Sequence, residues 1–335
     1  MKKSLPVLAI TLGDPAGIGP EIAIKALLSK DKPINCDSII IGDLCVIEKE
    51  AEKYSPQPRV HVIRSVKETQ PNCINIMDMN SIKLGDFVVG KNQSACGKAA
   101  YTYILKGIEI AMKGDVDAIV TNPISKEALK MAGIHYPGHT EILADKTGVK
   151  EFSMMFACEN VSVVHVTTHL SLRQALTMIS KERVLSQTRL LNNALKNLGI
   201  AEPRIAVSGL NPHAGENGLF GDEEIIHIAP AIALAKKEGI LASGPYPPDT
   251  VFMRAFKGEF DGVVSMLHDH GFVALKSRDF EAGVNITLGL PIIRTSVGHG
   301  TAFDIAGKGV ASEKSLLAAL RAALRMVKSR KRNSF

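Results

Sequence analysis

Short apolar runs alternate with segments of helical periodicity along most of the chain. An apolar run of about four to eight residues predicts a buried strand, whereas apolar residues that recur every three or four positions predict a helix. The predicted strands are residues 7–12, 38–42, 60–63, 74–79, 118–120, 153–157, 161–166, 204–207, 263–266, 284–288 and 292–293. The predicted helices are residues 21–28, 44–54, 96–113, 126–131, 141–145, 180–198, 223–237 and 312–327. This alternation is typical of parallel strands joined by crossover helices and predicts an α/β fold.

Polar residues suited to catalysis are concentrated between residues 265 and 309. Glycines and short apolar runs separate them, so we expect them at strand ends and in loops, where open α/β sheets bind their ligands. The stretch is predicted to form the floor of a catalytic cleft. Its titratable candidates are His268, Asp269, His270, Lys276, Arg294 and His299.

A glycine-rich turn, GDPAGIGPE, follows the first predicted strand and leads into a helix. Its spacing, G-x-x-x-G-x-G, differs from the dinucleotide-binding fingerprint G-x-G-x-x-G. The turn therefore indicates a Rossmann site only weakly. Two interpretations stay open: a turn that only packs, or a loop whose backbone and Asp14 border the cleft.

Composition and charge narrow the class of protein. The chain has 335 residues and a net charge of +6, but residues 321–335 alone hold six basic residues and no acid. We therefore interpret the basicity as a solvated terminus and not as a nucleic-acid-binding arm. The five cysteines are widely spaced, which favours a reducing, cytoplasmic compartment. Neither a signal peptide nor a membrane span is expected, and the chain length favours two lobes.

Three histidines follow predicted strands: His169, His213 and His268. Three imidazoles with an open fourth position are a common catalytic metal site, although each histidine alone could equally be a hydrogen-bonded loop residue. Candidates for anion binding are a second group, namely His139, Thr140, Lys276 and Arg294. Arg294 is predicted to lie on a buried strand, where a guanidinium needs an anion.

The segment His299–Gly309, HGTAFDIAGKG, resembles the loop with which isocitrate and isopropylmalate dehydrogenases hold the adenosine of NAD. Further motifs resemble, in order, those of the 4-hydroxythreonine-4-phosphate dehydrogenase (PdxA) family. They are GDPAGIGPE, GHTE, TTHLSLR, NPHAGENG, PPDT and GVNITLGLPIIRTSV. The resemblance covers nearly the full length and implies the isocitrate/isopropylmalate dehydrogenase-like fold, with two lobes of about residues 1–135 plus 300–335 and 136–299 and the active-site cleft between them.

The resemblance also implies a function and a set of site residues. The reaction is the NAD-dependent oxidation of the 3-hydroxyl of a 4-phosphorylated hydroxy acid, followed by loss of CO₂. One divalent metal ion (Zn, Co or Mg) is implied on His169, His213 and His268, in a homodimer with shared active sites. Substrate contacts fall on His139, Thr140, Lys276, Asn285 and Arg294, and NAD contacts on His299, Gly300, Thr301, Asp304 and Gly307. Asp249, Asp269 and Lys276 are the catalytic candidates.

The identity of the substrate depends on departures from the family pattern. The family more usually has Gln at His270 and Asp at Gly298. The general family substrate is 4-phosphooxy-L-threonine, which gives 3-amino-2-oxopropyl phosphate. The alternative is 4-phospho-D-threonate or 4-phospho-D-erythronate, which gives dihydroxyacetone phosphate, and both Gly298 and the motifs THLSLR and GHTEILA favour it.

Two alternatives come from other classes of protein. A metal hydrolase with three histidine ligands, acting on a phosphorylated small molecule, would need the same histidines and anion-binding residues. A non-catalytic binder of a phosphorylated ligand would leave the histidines idle. The segment HGTAFDIAGKG argues against the hydrolase, because a hydrolase has no use for an adenosine-binding loop.

Overall fold

The structure, a computed structural model, describes residues 5–158, 160–278 and 283–333. These residues form twelve strands: β1 (Val7–Thr11), β2 (Asp37–Gly42), β3 (Val60–Val62), β4 (Ile74–Asp78), β5 (Ala118–Thr121), β6 (Ser153–Cys158), β7 (Val161–His165), β8 (Ile205–Ser208), β9 (Ala242–Tyr246), β10 (Gly262–Ser265), β11 (Val284–Leu288) and β12 (Arg294–Val297).

The same residues form eleven α-helices. They are α1 (Gly19–Leu28), α2 (Leu44–Ala51), α3 (Ser94–Met112), α4 (Lys126–Met131), α5 (His139–Thr147), α6 (Leu172–Met178), α7 (Lys181–Asn197), α8 (Ala229–Lys237), α9 (Val251–Phe256), α10 (His268–Lys276) and α11 (Lys314–Asn333). A 3₁₀ turn at Val66–Glu68, a turn at Pro212–Gly218 and a π turn at Glu224–Ile228 complete the short elements. The α/β class predicted from the alternation of patterns is confirmed.

The chain divides into two compact units. The first runs to Lys150 and resumes over Leu290–Lys328, and the second holds Glu151–Gly289 and the chain from Ser329. The boundaries between the lobes expected from the sequence are at residues 136 and 300, whereas the boundaries between these units are at residues 151 and 290.

In the first unit the strand order is β3-β4-β2-β1-β5-β12, and the strand pairs are parallel. Strands β1, β2 and β5 are almost fully buried, as apolar runs covered by helices on both faces should be. Their carboxyl ends therefore deliver the following loops to one edge of the sheet.

In the second unit the order is β11-β6-β7-β10-β8-β9. Strands β6 and β7 pair antiparallel, and β11 pairs antiparallel with β6. The remaining pairs are parallel. A core of apolar residues from the strands, α9 and α10 fills this unit and includes the edge-to-face pair Phe156 and Phe272.

The prediction for residues 268–276 is wrong. They form α10 and not a loop, so Asp269, His270 and Lys276 lie on a helix. Helices α6 and α9 and strand β9 were not predicted either. The closing helix is longer than expected and continues through the basic segment to Asn333, while the end of the predicted frayed tail, Ser334 and Phe335, lies outside the described residues. Within the part of the chain that the structure describes, no helix combines the length and hydropathy of a membrane span.

The turn after β1 contains a buried carboxylate, Asp14. Its Oδ1 accepts a hydrogen bond from the backbone of Ala16 at 2.9 Å, while Oδ2 is shielded from solvent and has no hydrogen-bond partner among the described residues. Burial raises the pKa of Asp14 to about 6, against the lowering effect of Ala16 and the Cys96 thiol. At neutral pH the fold thus holds a charge that it does not fully neutralise.

Replacing Asp14 with Asn is expected to stabilise the first unit. The unfolded carboxyl loses its proton near pH 4 and the folded one near pH 6, so native stability falls as the pH rises between these values and then levels off. At about 1.4 kcal/mol per pKa unit, the gain of Asp14→Asn should approach about 3 kcal/mol above pH 6 and vanish near pH 4. Urea unfolding at a series of pH values measures it.

A matched control is Asp261→Asn in the second unit. Hydrogen bonds from Arg204 outweigh burial at Asp261 and lower the pKa of that carboxyl, so this variant should lose stability at neutral pH and approach the parent protein in acid. A pH-independent gain for Asp14→Asn, or a loss at pH 7, would contradict the interpretation of Asp14.

Candidate active site

A buried guanidinium is the main charged group of the first unit's site. Arg294 begins β12 beside β5 and is 3% exposed. Its Nε and one terminal nitrogen donate to Thr121 Oγ1 at 3.2 and 2.6 Å. Burial lowers the pKa of Arg294 to about 9, although the carboxylate of Glu141 acts in the opposite direction. The arginine therefore stays charged at neutral pH, in a place where a second anion would be stabilising.

His139 and Thr140 form the first turn of α5, after the extended residue Gly138. The His139 Nε2 atom is shielded from solvent and has no hydrogen-bond partner among the described residues. Burial, and then the charge of Arg294, lower the pKa of His139 well below its usual range. The imidazole is therefore neutral and able to donate one hydrogen bond to an anion, next to a helix N-terminus that favours negative charge. The structure thus brings His139 within reach of the charge of Arg294, and both are candidate anion-binding residues.

In the second unit, two of the three predicted metal ligands meet. His169 and His268 line a cavity of about 150 Å³, and their ring centroids are 5.6 Å apart. The Nδ1 atom of His268 lies 2.7 Å from Asp269 Oδ1. A carboxylate on one ring nitrogen fixes the ring and leaves Nε2 for a metal, an arrangement common in metalloenzymes.

The helical form of α10 separates its functional side chains onto two faces. His268, Phe272 and Lys276 are four residues apart and share one face, with Lys276 Nζ 5.1 Å from the Phe272 ring centroid. Asp269 and His270 instead border a cavity of about 730 Å³ together with Asp249, which is exposed. Asp269 therefore contacts a predicted metal ligand and also faces a cavity large enough for a small substrate.

A fourth histidine lies beneath this pair. His165, at the end of β7, is 3% exposed and stacks on Phe272, with centroids 4.7 Å apart, and its centroid is 5.9 Å from that of His268. Burial, and then the charge of His268, lower the pKa of His165 to about 3. A Cβ at Gly271 would come within 2.3 Å of its Nε2. The ring supports the first turn of α10, so His165 has a structural role.

The third predicted ligand, His213, lies in a left-handed turn. Residues 213–217 all have positive φ values, between 42° and 80°, and four of the five are not glycine. Such a conformation costs about 1–2 kcal/mol for each residue with a Cβ atom. Across the described ranges, no three histidine, cysteine or carboxylate side chains meet closely enough to hold a metal. His213 is exposed and does not join His169 and His268 in this chain.

The strained turn is held by Glu224, a residue that no sequence motif distinguishes. Its Oε1 accepts hydrogen bonds from the backbones of Leu210 and Asn211 at 2.7 and 2.8 Å, and Oε2 accepts from the Asn211 amide at 2.9 Å. Burial raises the pKa of Glu224, but these hydrogen bonds outweigh it and leave that pKa below its usual value. A charged carboxylate thus fixes the start of the loop that presents His213.

The segment resembling an adenosine-binding loop lies in the first unit. Its backbone at Thr301 accepts a hydrogen bond from the Ile18 amide at 3.0 Å. His299 Nδ1 lies 3.0 Å from the Gly300 carbonyl. Gly300, Asp304 and Gly307 are exposed, and Gly307 has a φ of 76°, which favours glycine. The loop therefore offers an open surface between anchored ends.

The remaining predicted residue, Asn285, lies on β11 opposite Phe156 of β6 and is half-buried. It is the second residue of a strand whose other four residues are buried. The position suits a rigidly held polar contact.

Comparison with known proteins identifies the family. A sequence model described as "Pyridoxal phosphate biosynthetic protein PdxA" matches residues 34–323. A protein of Oceanobacillus iheyensis with the provisional name D-threonate 4-phosphate dehydrogenase is 47% identical, over 96% of this chain and 98% of that protein. The crystal structure of a 4-hydroxythreonine-4-phosphate dehydrogenase from Klebsiella pneumoniae is 41% identical, covers 96% of this chain and 99% of its own, and has a TM-score of 0.87.

The fold extends to more distant enzymes. A β-decarboxylating dehydrogenase from Thermococcus kodakarensis, 13% identical, aligns over 95% of this chain and 82% of its own with a TM-score of 0.51. The likeness to the Klebsiella pneumoniae enzyme confirms the isocitrate/isopropylmalate dehydrogenase-like fold that the sequence predicts. The chain belongs to the PdxA family of dehydrogenases.

Proposed function

We propose that this chain catalyses the NAD-dependent oxidation and decarboxylation of a 4-phosphorylated 3-hydroxy acid, with the help of one divalent metal ion. The observation that carries the proposal is the pair His169 and His268, with Asp269 on the Nδ1 atom of His268. The buried Arg294 of the first unit would bind a phosphate.

The donor set fits a borderline divalent metal such as zinc or cobalt. Neutral imidazoles are preferred ligands of such ions, and His169, His268 and His213 would supply three of them. When bound, the ion would polarise the substrate's hydroxyl group and stabilise negative charge as the carboxylate leaves. Asp269 would hold the His268 ring in position, and Lys276, on the same face of α10, would carry or hold a proton near the reacting carbons.

The phosphate would be bound by Arg294, His139 and Thr140, with Asn285 as a further substrate contact. Arg294 supplies a charged fork and α5 supplies backbone amides at its first turn. Because burial keeps His139 neutral, its unpartnered Nε2 can carry the hydrogen that a phosphate oxygen accepts. The NAD would bind on His299, Gly300, Thr301, Asp304 and Gly307.

The exposed position of His213 supports a homodimer with shared sites. Apolar side chains that are more than 40% exposed follow both histidine loops in the second unit: Leu170, Leu172, Leu176 and Met178 near His169, and Leu219, Phe220, Ile225 and Ile226 near His213. Apolar side chains concentrated in this way are typical of a subunit interface. We therefore propose that His213 of one subunit completes the metal site of its partner.

For the substrate we propose a 4-phosphorylated sugar acid, 4-phospho-D-threonate. The O. iheyensis relative has that provisional name, whereas the K. pneumoniae structure is named for 4-hydroxythreonine 4-phosphate. The two substrates differ at C2, which carries a hydroxyl or an ammonium group. In this chain Gly298 follows β12 and donates its amide to Ser315 Oγ at 2.9 Å. A glycine there supplies no carboxylate for an ammonium, which needs an anion or several acceptors when it leaves water.

Removal of the metal, or the substitution His213→Ala, is expected to abolish turnover and leave the fold intact, because His213 is exposed. Activity should fall by well over tenfold, which is about 1.4 kcal/mol of transition-state stabilisation. Steady-state kinetics measure turnover, chelator competition measures metal binding, and far-UV circular dichroism measures the fold. His135→Ala, at another exposed histidine, is the control and should match the parent. Retention of more than about a tenth of the activity by His213→Ala would disprove this ligand assignment.

Mixing inactive variants tests the shared site. His213→Ala mixed with His268→Ala should recover about a quarter of the parent activity after subunit exchange, because half the dimers are mixed and each contains one intact site. His169→Ala mixed with His268→Ala should recover none, since both rings belong to one chain's cavity. Isotope-labelled subunits monitor exchange by native mass spectrometry. Complete exchange without recovery in the first mixture would show self-contained sites.

Substrate preference is tested with NAD, a divalent metal and each of 4-phospho-D-threonate, 4-phospho-D-erythronate and 4-phosphooxy-L-threonine. We expect the highest kcat/KM for the threonate. Introducing a carboxylate with Gly298→Asp should shift the ratio toward the amino substrate. A preference of the parent for the amino substrate by tenfold or more, about 1.4 kcal/mol, would overturn the sugar-acid assignment.

A further inference from the structure

The motif GDPAGIGPE has no role in the reaction proposed above, yet it is in direct contact with residues 299–311, the segment proposed to bind NAD. The Ile18 amide donates to the Thr301 carbonyl at 3.0 Å. A Cβ at Gly17 would lie 3.0 Å from the same carbonyl oxygen, so the two segments pack with little space between them. The turn after β1 thus holds the first part of residues 299–311.

The far end of that segment is held by one carboxylate. Glu21, in the first turn of α1, is 1% exposed. Its Oε1 accepts a hydrogen bond from the Ala311 amide at 2.8 Å, and its Oε2 accepts one from the Gly309 amide at 3.2 Å. A buried carboxylate that accepts two backbone N–H groups is strongly stabilised, and it fixes both peptides in space.

Lys25, one turn further along α1, completes the contact. Its Nζ lies 2.8 Å from Glu21 Oε1 and donates to the carbonyls of Gly309 and Ala311 at 3.0 and 2.7 Å. The pair therefore satisfies both the amides and the carbonyls of the same two residues. Between the two attachments, Asp304 and Gly307 remain exposed.

We propose that Glu21 and Lys25 are positioning residues for the cofactor: they hold residues 299–311 in the binding conformation before NAD arrives. This inference rests on the proposed function, in which that segment binds NAD. A loop fixed in advance does not have to lose conformational freedom on binding. The avoided entropy cost makes the affinity for NAD higher. Glu21 and Lys25 themselves would not touch the reacting atoms, so kcat at saturating NAD should change little.

The test measures NAD binding directly by isothermal titration calorimetry, together with amide hydrogen exchange. Glu21→Ala is expected to raise the Kd for NAD by tenfold or more and to speed exchange of residues 300–311, while exchange of residues 160–278 stays unchanged. KM for NAD should rise in parallel and kcat should stay within about twofold. Glu21→Gln keeps one acceptor oxygen and should recover part of the affinity. Lys25→Met should also raise the Kd for NAD. In the double variant with Glu21→Ala the two effects on the Kd should not add, since both residues act on Gly309 and Ala311.

Asp117→Ala is the matched control for a purely structural effect. Asp117 accepts the Val7 amide at 2.8 Å, at the start of β1 and therefore at the sheet edge opposite the motif. It should lower stability and leave the Kd for NAD unchanged. If Glu21→Ala fails to fold, Glu21→Gln and Lys25→Met are measured in its place, with smaller increases expected.

Two outcomes separate this inference from the proposed function. If neither His299→Ala nor Asp304→Ala weakens NAD binding, the cofactor site itself is assigned wrongly. If those two variants weaken binding and the foldable variants of Glu21 and Lys25 do not, or if Asp117→Ala weakens NAD binding to the same extent, the positioning role is overturned and the cofactor site stands.

Discussion

Buried carboxylates that accept hydrogen bonds from backbone amides are the constraint on which the candidate site depends. Parallel strands end in loops whose peptide groups have no partners in the sheet, and a loop near the core must satisfy them in another way. Glu21 does so for Gly309 and Ala311, and Glu224 for Leu210 and Asn211. Each carboxylate is almost fully buried and lies on a helical turn, which is rigid. The loop that presents His213 and the segment of residues 299–311 take their shape from these acids.

The two units contribute different chemistry. The first provides a buried positive charge at Arg294 beside a neutral His139, and burial has opposite consequences for them: the arginine remains charged, while the histidine does not. The second provides imidazoles whose orientation is fixed by Asp269 and by packing on Phe272. The candidate anion-binding group and the candidate metal-binding group need such different surroundings that separate elements of the chain supply them.

The sequence predicted the fold and suggested two groups of candidate site residues, but it did not predict what holds them. Apolar runs identified most strands, because buried parallel strands have no polar face to obscure the pattern. Helix α10 was missed because its first turn is polar and contains Gly271, a residue that the ring of His165 requires. Helix α6 could have been found from the Ser171–Gln174 capping box. The roles of Glu21 and Glu224 could not have been found, since a hydrogen bond to a backbone amide 290 or 14 residues away leaves no pattern in the local sequence.

The order of the strands bears on how the chain folds. Strand β12 pairs with β5, and most of the second unit, Glu151–Gly289, lies between them in the sequence. During synthesis the second unit can therefore complete its core while the first still lacks a strand and its closing helix. Residues 299–311 meet α1 only after nearly the entire chain has emerged, through a contact of very large sequence separation. Residues 299–311 are thus among the last parts of the first unit to be assembled, and their conformation depends on a helix that was synthesised near the start of the chain.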